Sequence, residues 1–163
     1  MQALVINQSN IQLNLKNIQI TLDEVVRRLG KNKALKNSKK LKKNEISFVL
    51  ISAQKMKAIN YQFRGKDYAT DVLSFASASP ESLGELILCP SVLKKQARQN
   101  GHSLDFEILY MFIHGILHLL GYDHEKSLSE EKKMFTIQDR LFSQLTGSKI
   151  NLHLTHVNRR RSQ

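Results

Sequence analysis

Apolar positions in this chain fall in short blocks whose spacing switches between two and the three-to-four of a helix. A β-branched run at Leu4, Val5 and Ile6 predicts a strand, and the alternation over residues 11–20 predicts a second. Thr21 and Glu24 have capping-box spacing ahead of Val25, Val26 and Leu29, which predicts a helix stopped by Gly30. Ile46 to Ile51 reads as a strand, and Ser52 caps a helix carrying Met56, Ile59 and Phe63 to Gly65. Strands follow over residues 70–75 and 86–88, and Pro90 opens a helix running to Asn100 and Gly101.

The longest apolar block, residues 104–120, is hydrophobic on nearly every face, as a central buried helix is. After Gly121 a last helix is expected, capped near Ser129 with Glu130 and Glu131 in its first turn. Met134, Ile137, Leu141 and Leu145 point inward, and Gly147 ends it. The order predicts one α/β (α+β) domain over residues 1–147, a small mixed sheet with helices packed around the central one. Residues 148–163 show no packing pattern and are expected to form a mobile basic tail.

The chain has 163 residues and a formal net charge of +11, and that charge is concentrated. Between Arg27 and Lys43 lie nine cations and no acid, and the tail adds Arg159, Arg160 and Arg161. Setting those twelve aside leaves 13 basic residues against 14 acidic ones, so the remainder is nearly neutral. A polyanion is therefore the expected partner, with Lys39, Lys40, Lys42 and Lys43, in a basic loop over about residues 31–44, as candidate contacts. A membrane surface fits less well, because that loop offers only Leu35 and Leu41 for insertion. No run of about 18 apolar residues is present, and no signal-peptide pattern opens the chain. One cysteine, Cys89, has no disulfide partner in the chain and reads as a small buried hydrophobe in a reducing, cytoplasmic setting. His102 is expected to be exposed, and His153 and His156 to be unordered tail residues.

The sharpest chemical signal is the run from His114 to His124. His114 and His118 are four apart, so they leave the helix on one face. A positive φ at Gly121 would swing His124 back towards them. Three imidazoles suit one divalent transition metal, zinc first, and leave a coordination position open, as catalytic sites do. Core histidines bonded to carbonyls are the bland alternative; three in this spacing on an apolar helix favour metal. The H-x-x-x-H-x-x-G-x-x-H spacing is that of metzincin proteases, but Gly115 stands where they need their general-base glutamate. Peptidase chemistry is therefore disfavoured. Asp123 is the nearest carboxylate, with orienting a ligand or capping the turn as an equally good role.

These residues resemble the YbeY family of metal-dependent endoribonucleases. Residues 114–124 meet the pattern HGxLHLxGYDH without a mismatch. Asn60, the run from Phe63 to Asp67 and the run from Thr70 to Phe75 meet a second block, and Leu83-Gly84-Glu85-Leu86 a third. Phe63, Ala76 and Glu85 depart from the usual tyrosine, proline and aspartate. The resemblance implies a metal on His114, His118 and His124, and cleavage of single-stranded ribosomal RNA in 16S rRNA 3′-end maturation and ribosome quality control. It also implies small-subunit ribosomal proteins and other assembly factors as partners, and Arg64 facing the metal; no membrane partner is expected from the apolar pattern.

A guanidinium there would hold the charge that builds on a phosphodiester in its transition state. Ser74 and Tyr122 are candidate substrate contacts with equally good structural roles. Tyr61 and Tyr122 could stack bases or sit at the core edge. The nucleophile could be hydroxide or a ribose 2′-hydroxyl. Two other functions compete, an RNA-binding assembly factor with a structural metal and a metal-dependent hydrolase of non-RNA substrates.

Overall fold

The structure, a computed structural model, describes residues 3–43 and 45–147. Four strands, β1 (Ala3–Gln8), β2 (Glu45–Ile51), β3 (Val72–Ala76) and β4 (Ser82–Leu88), form one sheet in the order β1-β2-β4-β3. β1, β2 and β4 run parallel, and β3 pairs antiparallel with β4 at the edge. Six helices complete the fold: α1 (Leu15–Lys31), α2 (Lys40–Lys43), α3 (Ala53–Arg64), α4 (Pro90–Asn100), α5 (Leu104–Leu119) and α6 (Leu128–Thr146).

Alternation along the strands sorts the side chains into two layers. Ile46, Phe48 and Leu50 of β2, with Leu86 and Leu88 of β4, join the core built with α1, α4, α5 and α6. Val49, Ile51, Leu73, Ile87 and Cys89 face the other way, onto Met56 of α3. Residues Glu107 to Leu117 of α5 are all buried, so its all-round hydrophobicity is explained by its central position. Phe112 meets Phe48 edge-on at 5.1 Å between ring centres, and Tyr110 meets Phe142 of α6 at 5.4 Å. The expected mixed α/β architecture around a buried histidine-bearing helix is what the chain forms.

The N-terminal reading needs correction. Residues 11–20 are not a strand: Asn14 caps α1, its Oδ1 accepting from the Asn17 amide at 3.1 Å, and the helix begins at Leu15. Ile18, Leu22, Val25, Val26 and Leu29 are buried at helical spacing, and this stripe outweighs the shorter alternation before it. Thr21 lies inside the helix, its hydroxyl donating to the Asn17 carbonyl, and Gly30 also lies within it. Glu24 turns forward to Arg27 and Arg28, and the hydrogen bonds from these guanidiniums, Arg27 first, hold its carboxyl down at about 2.

The basic stretch is not a free loop either. Leu35 and Leu41 are buried in the core, and α2 forms within it. Those leucines anchor the segment to the protein and are not available for a membrane. Among the described residues no helix is long and apolar enough to cross a membrane.

Other boundaries shift slightly. β4 starts earlier than expected, at Ser82. β3 starts at Val72, whose amide donates to the Asp71 carboxylate at 2.8 Å. Ser127, not Ser129, caps α6. His102 is not exposed: its ring is enclosed, with Nε2 2.9 Å from the buried Glu107 carboxylate. Cys89 is fully buried, as expected. The expected tail, with His153, His156 and Arg159 to Arg161, lies outside the described residues.

Candidate metal centre

His114 and His118 project from the last turns of α5. Gly121, at φ +93°, reverses the chain immediately after the helix, a conformation that L side chains rarely adopt. The amides of Gly121 and Tyr122 close this turn on the carbonyls of His118 and Leu117, both at 2.9 Å. The turn returns His124 to the pair, with ring centres of the three imidazoles 4.7 to 5.1 Å apart.

One nitrogen from each ring lies within 4.8 Å of the others, and Nε2 of His114 and His118 are 3.1 Å apart. Tetrahedral nitrogen ligands at about 2.0–2.1 Å from an ion lie roughly 3.3 Å from one another. The three side chains therefore fit one small divalent ion.

The orientation of His114 is set from α6. Gln138 is fully buried, and its Nε2 donates to the Tyr110 carbonyl at 3.1 Å. A carbonyl can only accept, so this bond fixes which way the amide faces. Gln138 Oε1 is left 2.9 Å from His114 Nδ1, which must carry the proton. The lone pair of His114 is then on Nε2, facing His118. Phe135, one turn earlier on α6, stacks beside His114 and His124 at 5.9 and 5.6 Å. Neither α6 residue is a candidate from local sequence, although a glutamine between Met134 and Leu141 interrupts an inward apolar stripe, which is the legible signal.

Gly115 has a packing reason. A Cβ there would lie 2.6 Å from Cδ2 of Leu86, because α5 rests on β4 at this point. A side chain at this position would meet the Leu86 side chain, so a metzincin-type glutamate here would force that buried leucine to move.

The histidines open into a groove of about 840 Å³ bounded by β3, by the segment from Arg64 to Asp71 and by the loop 121–126. Arg64, Ser74, Tyr122 and Asp123 all line it. Arg64 reaches across to Glu125, Nη2 to Oε1 at 3.1 Å, linking the end of α3 to the histidine loop. Asp123 caps its own turn by accepting the Glu125 amide at 2.9 Å. Tyr122 is almost fully buried, and its hydroxyl accepts from the Lys36 amide at 3.0 Å. Asn37 donates to the Leu120 carbonyl at 3.1 Å. These two bonds bring the basic stretch beside the loop that carries His124.

Fold and site together define a mixed α/β protein with a three-histidine centre of metal-binding geometry at the C-terminal end of its central helix. A family model described as Endoribonuclease YbeY matches residues 4–146, and the chain belongs to that family. A protein named Endoribonuclease YbeY from Bdellovibrio bacteriovorus is 46% identical over 145 residues, covering 89% of this chain and 95% of the relative. One of the same name from Thermotoga maritima is 34% identical over 133 residues, covering 82% and 81% respectively. The solution structure of TM1509 from Thermotoga maritima superposes with a TM-score of 0.61 at 31% identity, covering 89% of each chain.

Proposed function

We propose that this chain is a metal-dependent endoribonuclease specific for single-stranded RNA, acting in the cytoplasm on the 3′ end of 16S rRNA and in ribosome quality control. Small-subunit ribosomal proteins and assembly factors are its partners in this reading. His114, His118 and His124 hold one divalent ion, zinc by ligand type, and such an ion when bound supplies Lewis acidity toward a phosphodiester.

The observation that carries the reading is that Arg64 and the three imidazoles, 50 or more residues apart in sequence, line one groove. Arg64 presents two N–H groups to the phosphate oxygens and stabilises the charge that gathers there. Glu125 keeps the guanidinium in the groove until an anionic substrate competes for it. Gln138 holds His114 in the tautomer a metal needs. Ser74 contributes a hydroxyl at the edge strand, and Tyr122 supports the histidine loop from beneath. Lys39, Lys40, Lys42 and Lys43 hold more distant phosphates, in a stretch tied to the histidine loop by the bonds from Lys36 and Asn37.

The test is cleavage of single-stranded RNA alongside metal analysis. His114→Ala is expected to lose both metal and cleavage. Arg64→Ala is expected to keep the metal and lose about 10²–10³-fold in turnover. Full cleavage by purified His114→Ala, with contaminating nucleases excluded, would overturn the reading. Salt-sensitive RNA binding without cleavage at any metal occupancy would favour an assembly factor.

A further inference from the structure

Aromatic rings are unevenly placed on the surface. Among the described residues, the most exposed are Tyr61, Phe63 and Tyr68, at 62%, 60% and 41%, and all lie close to Arg64 in sequence. A ring left in water forgoes the burial that stabilises the core, so an exposed ring on the wall of a charged groove points to a ligand.

One of them lines the groove. Tyr68 does so together with Arg64 and Lys66. Phe63 packs edge-on against Phe75 at 5.0 Å on the α3 side of the sheet, facing away from Ser74 and Ala76 of the groove wall. The segment from Arg64 to Tyr68 is held in place. Asn60, fully buried, donates to the Tyr68 carbonyl at 2.8 Å, and Gly65 ends α3 in the left-handed conformation. The groove therefore carries cations and a ring side by side, at positions 64, 66 and 68. That combination matches a polynucleotide strand, whose anionic phosphates and flat bases are taken by cations and aromatic faces. A protein partner would need to supply acids for Arg64 and Lys66 as well as an apolar surface for the ring.

We propose that Tyr68 forms a nucleobase-stacking subsite for the single-stranded RNA segment adjoining the phosphate that Arg64 holds. The proposal rests on the endoribonuclease reading above. Stacking tolerates any base, because every base has a π-face, but it requires a base whose face is not covered by a neighbour in a duplex. The subsite thereby contributes single-strand preference without sequence preference.

The experiment is initial-rate cleavage of a single-stranded RNA oligonucleotide, intact and with single abasic positions, by the full-length metal-loaded protein. Tyr68→Ala is expected to raise KM about tenfold with kcat within twofold, and Tyr68→Phe to keep the wild-type value. Moving an abasic site along the RNA should identify a position that weakens wild type by a similar factor and costs Tyr68→Ala nothing further. The abasic scan of wild type needs no variant to fold. Tyr68→Ala with wild-type KM, or losses that add fully to those of the abasic site, would overturn the subsite while leaving the endoribonuclease reading intact. Wild-type protein that cleaves no single-stranded RNA overturns both.

Discussion

At the scale of single residues, Gln138 shows how a neutral side chain can govern a metal-type centre. Its amide reads the Tyr110 carbonyl at one end and dictates the His114 proton at the other. Replacing it with methionine, similar in length but without the amide, should weaken metal affinity by roughly 10- to 100-fold, measured by chelator competition. Unchanged affinity would show that Gln138 only fills space.

Glu24 has a different dependence. Its folded carboxyl is held at about 2, below its ordinary 4.5, so its pairing with Arg27 and Arg28 stabilises α1 above about pH 4.5. That contribution is lost as pH falls towards 2. Glu24→Gln should therefore differ from wild type in thermal midpoint at neutral pH, with the two converging at the acid end of a pH series. Both partners are exposed, so added salt should shrink the difference.

At the scale of elements, the contact of α5 with β4 decides what chemistry position 115 can host. Gly115→Ala gains helix propensity of about 1 kcal/mol, but its Cβ meets Leu86, which is fully buried and cannot swing into solvent. Overpacking of this kind costs about 1–3 kcal/mol, so net destabilisation is expected in urea unfolding. Trimming the obstacle in a Gly115→Ala/Leu86→Val double variant should recover part of the loss. Additive losses would mean that the close approach is not the reason for the glycine.

The same scale shows why the start of α1 is hard to read from sequence. Asn14 is one of several asparagines near the N-terminus, and only the docking of Ile18, Leu22 and Val25 on the core selects it as the cap. α5, by contrast, is legible almost to the residue, because hydrophobicity on every face leaves a helix no place but the centre.

At the scale of the molecule, charge and chemistry meet. The basic stretch and the histidine run lie more than 80 residues apart in sequence, yet Lys36 and Asn37 bond to Tyr122 and Leu120. Neutralising Lys39, Lys40, Lys42 and Lys43, or deleting Arg159 to Arg161, should weaken single-stranded RNA binding. The slope of log affinity against log salt should fall by about 0.7 for each phosphate no longer neutralised, with metal content unchanged. Wild-type affinity and slope in both variants would leave the charge a role in solubility only.

The sequence by itself determined the parts whose causes are local. Histidines four apart share a helix face, a glycine three residues past the second permits the reversal to His124, and the strand periods set a two-faced sheet. Tertiary structure alone decided the rest: that Gln138 orients His114, that Leu86 packs closely on Gly115, and that Leu35 and Leu41 tie the basic stretch to the core. It also decided that Arg64 lines the same groove as the histidines. These pairings join elements whose separation in sequence carries no distance information, and only packing brings them together.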